Sequence, residues 1–311
     1  MTWVLVAVSA YFILAVVNLL DKFLVENVLK NSKAYAFIAC FSGSLIFLAS
    51  PWFLSWPGWL FFIFNLVNGF LFAIALWLLY EALLRGEASR ILVFIGGATP
   101  VFSLIFSMLF FKEHFSSNQW LGISLILLGV FIISLLPISR SYLHRIFHKL
   151  KLFQEFKTGG LWIALLSALS YSLYFISTKQ AYSSQPFMSA FMWTRLGAAL
   201  FVLLFLINKK NRQAIVRTFH RSSPGKHKYL VIINQFFGAL GFILQNYAIF
   251  LGSVVLVNAL QGVQYAFLLV ISTFLAIMAP KLLKENFSVR ILIQKIVAVI
   301  SIVIGLYFIA I

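Results

Sequence analysis

Asn234, Gly238, Gly241 and Gln245 follow one another at i, i+4, i+7 and i+11 in a stretch that is otherwise aliphatic and aromatic, with Asn246 and Tyr247 adjoining. Asn258, Gln261 and Tyr265 repeat the pattern at i, i+3 and i+7 in the next such stretch, with Gln264 beside them. A third set, Ser167, Ser170, Tyr171, Tyr174 and Thr178, and a fourth, Asn65, Asn68, Tyr80 and Glu81, occupy two further stretches. Helical periodicity puts each of the first three sets on one face. A buried amide or hydroxyl costs roughly 2–7 kcal/mol unless it is bonded or wet, so such faces have two uses. They line a water-filled cavity that binds solutes, or they join helices through hydrogen bonds and close packing. For any single residue the joining role is the default. For the sets at 234–246 and 258–265 together, a cavity lining is expected.

Arg195 lies about 8 residues inside an apolar stretch, roughly 12 Å deep at 1.5 Å per residue, too far for its stem to snorkel comfortably. It needs a partner, and the alternatives are Glu81, a backbone carbonyl or an anionic group of a substrate. Elsewhere Gly96, Gly97, Thr99 and Pro100 come in near succession. A proline without an N–H beside glycines weakens the helix ladder, which serves either a midplane binding site or a packing kink. The acidic residues Asp21, Glu26, Glu81, Glu87, Glu113, Glu155 and Glu285 all fall at the ends of apolar stretches or between them. No mid-membrane carboxylate for proton coupling is therefore expected, although Glu81 is near enough to move inward.

His114, His144, His148, His220 and His227 also lie between stretches. His144 and His148 have the i, i+4 spacing of two metal ligands, but no carboxylate or cysteine nearby completes a site, so no metal is expected. Cys40 is the single cysteine, which excludes an intramolecular disulfide and a thiolate cluster. Without an acid, base and nucleophile inside the apolar stretches, neither catalysis nor a cofactor is expected.

The elements that must position these residues are helices in lipid. Hydrophobic residues make up 62% of the chain and charged residues only 10%, against about 45–50% and about 25% in soluble domains. Lipid has to supply the missing polar exterior. Ten apolar stretches approach the roughly 20 residues needed to span about 30 Å of hydrocarbon. They run near Thr2 to Leu20, Ala34 to Phe53, Gly58 to Tyr80, Ile91 to Phe111, Gln119 to Leu136, Gly160 to Ser177, Phe187 to Ile207, Tyr229 to Leu251, Val254 to Met278 and Val289 to Ile309. None shows the sustained alternation of a barrel strand. The first has no basic residue ahead of it and no clear cleavage site, so it is read as a permanent helix rather than a signal peptide.

Residues 139–158, polar, basic and carrying two histidines, divide five stretches (1–138) from five (159–311). KEHFS at Lys112 to Ser116 recurs as KENFS at Lys284 to Ser288, each between two apolar stretches. Ala82 and Gly86 correspond to Ala248 and Gly252, and Ser9-Ala10 to Ser167-Ala168. Five is odd, so the two halves enter the membrane with opposite sense, the inverted-repeat arrangement common in secondary transporters. The expected fold is therefore an all-α integral membrane protein of ten transmembrane helices, built as two inverted five-helix repeats.

Net charge is +17, from 24 Lys+Arg against 7 Asp+Glu. Nearly all the basic residues occupy alternate loops, which anionic headgroups and membrane topology explain, so nucleic acid is not an expected partner. They follow the first stretch (Lys22, Lys30, Lys33), the third (Arg85, Arg90), the fifth (the linker), the seventh (Lys209 through Lys228) and the ninth (Lys281, Lys284, Arg290). The intervening loops hold only Lys112 and Lys179. By the positive-inside rule the odd-numbered loops are cytoplasmic and both termini outside.

The segment Ala82 to Val130, ALLRGEASRILVFIGGATPVFSLIFSMLFFKEHFSSNQWLGISLILLGV, resembles the fourth and fifth helices of the EamA-like branch of the drug/metabolite transporter superfamily, through Pro100, Glu113, Gly122 and Gly129. Pro186 to Leu206, with Arg195, is similar to the second helix of that family's repeat. The chain departs from the pattern where Ala266 stands as the repeat counterpart of Pro100, and where the second stretch lacks an arginine matching Arg195. The resemblance implies a central cavity lined by the fourth and ninth helices, and termini in the cytoplasm, opposite to the charge count. It also implies a carrier of small metabolites or amphipathic solutes in an inner or plasma membrane, against the alternative of a lipid-handling or assembly factor whose polar faces only pack helices. Expected partners are the lipid bilayer, a small-molecule substrate and, as an option, a second copy in a homodimer.

Overall fold

The computed structural model describes residues 2–24, 31–85, 88–134, 159–221, 226–278 and 289–310. The linker with His144 and His148, Gly86, Glu26, Glu87, Glu155 and the KENFS motif at 284–288 lie outside the described residues. Before the linker come α1 (Thr2–Leu24), α2 (Ser32–Gly43), α3 (Ser50–Phe53), α4 (Trp59–Arg85), α5 (Ala88–Phe110) and α6 (Ser117–Ser134). After it come α7 (Gly160–Ser184), α8 (Phe187–Leu203), α9 (Lys209–Arg221), α10 (Lys226–Leu251), α11 (Val254–Ala259), α12 (Gln261–Met278) and α13 (Val289–Ala310).

Six helical segments among the described residues are long and apolar enough to cross a membrane, and four shorter apolar helices occupy the fourth, fifth, ninth and tenth stretches. Large apolar side chains such as Leu48, Leu60, Trp52, Leu109, Phe236 and Tyr307 point outward. In water that surface would be unstable; in hydrocarbon it is the expected exterior. Trp56, Trp59, Phe62 and Trp193 form an edge-to-face cluster at the end of α4 away from the basic loops, as in an interfacial aromatic belt. The chain is a multi-pass membrane protein.

Three details depart from the sequence expectation. The second stretch is not one helix: after Gly43 it tightens into a 3₁₀ segment, Ser44–Ala49, before α3. The hydroxyls of Ser42 and Ser44 there donate to the carbonyls of Ala39 and Phe41, competing with the helical ladder. The interruption expected at Pro100 is found instead in the ninth stretch, at Leu260 between α11 and α12. Helix α5 runs on through Pro100, with Thr99 donating to the carbonyl of Ile95 and Ser172 of α7 donating to that of Thr99, both at 2.8 Å. Pro100 takes the helical donor from the Gly96 carbonyl, and these hydroxyl bonds hold the turn around it and tie it to α7. Finally, the basic segment after the seventh stretch folds into α9, which buries Ile215 and leaves Lys209, Lys210 and Arg212 exposed. That is the form of a helix lying in the interface plane over anionic headgroups.

Helix α1 packs on α10 and α12, α7 on α4 and α5, α8 on α4 and α2, and α6 on α13. The α6–α13 pair is drawn close by glycine: a Cβ on Gly122 would come 2.8 Å from the carbonyl of Gly305, and one on Gly129 2.9 Å from that of Ala298. Lys179 of α7 donates to the carbonyls of Ile249, Phe250 and Gly252 at 2.9, 3.1 and 2.8 Å, capping the C-terminus of α10.

Candidate functional site

Two buried polar centres lie where the helices before the linker meet those after it. The first is Arg195 of α8, 5% exposed. Its guanidinium carbon stands 4.1 Å from the ring centre of Phe72 on α4, 4.6 Å from Phe191 one turn back on α8, and 4.5 Å from Phe242 on α10. Its Nη2 donates to the Tyr174 hydroxyl at 3.2 Å, and its Nε has no hydrogen-bond partner. The hydroxyls of Tyr174 and Tyr182 both donate to Oδ1 of Asn246, at 2.9 and 3.0 Å, while the Asn246 amide donates to the carbonyl of Phe242. A chain Arg195–Tyr174–Asn246–Tyr182 thus ties α7, α8 and α10 together.

Cation–π contacts are worth roughly 0.5–2 kcal/mol each, whereas burying an ion without a counter-charge costs several kcal/mol. The rings hold the guanidinium without neutralising it. Glu81, one of the partners considered for Arg195, is excluded: it takes Ser32 at 2.5 Å and Arg85 through Nε at 3.0 Å and Nη2 at 2.7 Å. Those residues stand at the basic end of α4, far along the helix from Phe72.

The second centre is Asp21, at the end of α1, one of the acids that the sequence places at the ends of apolar stretches. Its Oδ1 accepts from the Tyr35 hydroxyl of α2 and from the Asn234 amide of α10, the latter at 2.6 Å. The Tyr80 ring meets Tyr35 edge-on at 4.4 Å. Asp21 thus bridges helices from both sides of the linker. No spacing in the sequence pairs position 21 with 35 and 234, so the contact could be found only in three dimensions.

The remaining candidates divide by surroundings. On α4, Asn65 donates to Gln185 at 2.8 Å, while Asn68 is 1% exposed with neither amide atom bonded. Gln245 donates to the hydroxyl of Tyr11 at 3.3 Å, and Tyr11 donates to the carbonyl of Val257 at 2.7 Å. Gly238 and Gly241 face Val17 and Leu14, so the 234–245 stripe is turned toward α1. Asn258 donates to Ser103 of α5 at 2.8 Å, leaving its Oδ1 without a partner. Gln261 is half-buried at the start of α12, and the Tyr265 side chain lies outside the described residues. Tyr171 is half-buried beside Phe175 and Phe72. Gly97 faces Val130 of α6, and Thr99 and Pro100 are buried in α5. The structure brings Tyr174, Arg195 and Asn246 into one contact network, and Asn234 onto Asp21.

Residues 1–135 match the model of the EamA-like transporter family. A curated relative named as an uncharacterized transporter, YdfC of Bacillus subtilis (strain 168), is 31% identical over 107 residues, a match spanning 34% of this chain and 30% of the relative. The chain therefore spans less than a third of that relative's length in the match. A solved structure described only as a crystal structure of a protein superposes on 99% of this chain and 94% of its own, with a TM-score of 0.64 at 15% identity. At that identity the likeness concerns the fold, which it covers from end to end.

Proposed function

We propose that the whole chain, whose residues 1–135 match the model of the EamA-like transporter family, is a secondary carrier of small metabolites or amphipathic solutes, working by alternating access in an inner or plasma membrane. Its two units are 1–138 and 159–311, joined by the basic linker 139–158 and inserted with opposite sense. The packing pairs support this arrangement. Exchanging the units turns the α4–α7 contact into α10–α1, α5–α7 into α12–α1, and α6–α13 into itself, and each of these pairs is present.

One observation carries the proposal. The same exchange turns the α4–α8 seam into the α10–α2 seam, and the two are not alike. A Cβ on Gly69 of α4 would come 2.2 Å from the carbonyl of Thr194, and one on Gly197 of α8 2.4 Å from that of Leu66, so these helices touch backbone to backbone. Between α2 and α10, among the described residues, the bonds are made by side chains, Ser42 to Gln235 at 3.5 Å and the Asp21 carboxylate between Tyr35 and Asn234. Two equivalent seams in unequal states are what rocking of two inverted halves produces, with the tight one loosening as the other closes.

The site of passage is the ground between the seams, with Asn65, Asn68, Tyr171, Tyr174, Arg195, Asn246, Asn258 and Gln261 contributing. Cysteine introduced at Gln261 in a Cys40→Ser background tests this. Modification by water-soluble maleimides would support a wet pathway. Complete protection in every condition would favour the helix-packing alternative, which the close approach of Gly241 to Leu14, 2.9 Å from a Cβ to Cγ, also supports.

A further inference from the structure

We propose that the Nε–Nη2 edge of Arg195 binds the anionic head of the carried solute, a carboxylate, sulfonate or phosphate borne on an apolar or aromatic body. This rests on the carrier reading and narrows it to a substrate class. In arginine, Nε–H and an Nη2–H lie on one edge and point the same way, a fork matching two oxygens of one anion. Here Nε has no partner and Nη2 has a single bond of 3.2 Å to the Tyr174 hydroxyl. A hydroxyl at that length is a weak occupant of a site built for charge-assisted bonds, which run about 2.7–2.9 Å.

No carboxylate of the described residues serves as the counter-charge. Asp21 is bonded by Tyr35 and Asn234, Glu81 by Ser32 and Arg85, and Glu113 by Ser107 and Ser253 at 2.7 and 2.8 Å. An internal carboxylate would compete with an anionic solute. Phe72, Phe191 and Phe242 attract the guanidinium, leave its charge undischarged and keep its surroundings apolar, which suits an anionic head borne on an apolar body. One turn before Phe72 on α4, the buried and unbonded amide of Asn68 supplies a further donor on the side of that helix turned to the same centre.

The test is thermal unfolding of the purified full-length protein in detergent with benzenesulfonate, phenyl phosphate or phenylacetate, each compared at equal ionic strength with benzenesulfonamide or phenylacetamide. An anion among the three should raise Tm where its neutral analogue does not. Arg195→Gln should abolish that response, and Arg195→Lys, which keeps the charge but not the fork, should weaken apparent affinity about tenfold or more. Should Arg195→Gln not fold, Arg195→Lys decides: a weakened anion response supports the fork, whereas a response at wild-type affinity overturns it. Equal stabilisation by the neutral analogues, no response to any of the three anions, or a response surviving Arg195→Gln also overturns it. A response confined to added phosphatidylglycerol and lost in Arg195→Lys would assign the edge to a lipid headgroup and overturn the solute. Failure here with Gln261 labelled from water removes the anion and leaves the carrier; protection of Gln261 removes the carrier itself.

Discussion

The seam between α4 and α8 and the seam between α2 and α10 join the same two sets of helices by different physics. The first is made of absent side chains: Gly69 and Gly197 let two backbones meet, and dispersion does the rest. At the end away from the basic loops Ser189 and Trp193 donate to the carbonyl of Ser55, each at 3.0 Å, and Asn65 donates to Gln185. The second is made of present ones, a carboxylate, a phenol and two amides, whose bonds can be exchanged without moving backbone through backbone. A tight seam resists change up to a threshold, whereas a polar one adjusts by swapping partners. The proposed carrier uses both, in alternation.

The largest break in this comparison should come from Gly69→Leu or Gly197→Leu. A side chain placed where 2.2 Å separates the position of a Cβ from the Thr194 carbonyl must push the helices apart, and overpacking of this kind costs about 1–3 kcal/mol or more. Thermal unfolding in detergent should show the steepest loss of Tm among the variants considered. Asp21→Asn comes next. It exchanges charge-assisted bonds to Tyr35 and Asn234 for neutral ones, at a cost of about 1 kcal/mol per bond. Cross-linking between cysteines at Ser42 and Gln235 should fall, while cross-linking between Ser55 and Ser189 should not.

Trp193→Phe keeps the ring but drops its bond to Ser55, which should lower stability by about 0.5–1.5 kcal/mol and raise maleimide labelling near Ser55. The smallest effect is expected for Gly43→Ala on α2, where a Cβ would meet Arg195 Cδ at an ordinary 3.6 Å. Its Tm should stay within the change set by about 0.5 kcal/mol. A Gly43→Ala effect as large as that of Gly69→Leu would contradict the distinction between a Cβ in ordinary contact and one set against a backbone carbonyl.

The ten apolar stretches were legible because lipid imposes one solution on any long apolar segment, and the described helices follow them closely. Polar stripes were legible too, since period 3.6 is written in the sequence, but their neighbours were not. The 234–245 stripe could face water or α1, and only packing decided for α1. Of the three rings around Arg195, Phe191 sits one turn away and could have been named; Phe72 and Phe242 come from other helices and could not. Asp21 was hidden for the same reason. The break at Leu260 follows from no proline or glycine at that position, whereas the Gly96–Pro100 cluster, the stronger local signal, stayed helical, with Thr99 and Ser172 bonding the carbonyls of Ile95 and Thr99 within that turn.

The central claim is that the α4–α8 seam opens during the working cycle. In a Cys40→Ser background, cysteines at Ser55 and Ser189, whose hydroxyl oxygens lie 3.1 Å apart, would lock that seam by a disulfide, with a third cysteine at the buried Asn258 as reporter. In oriented vesicles, membrane-impermeant maleimide should label position 258 from both sides when the lock is reduced and from one side only when it is oxidised. Labelling that is unchanged by the lock, or absent from both sides in either state, would contradict alternating access through this seam.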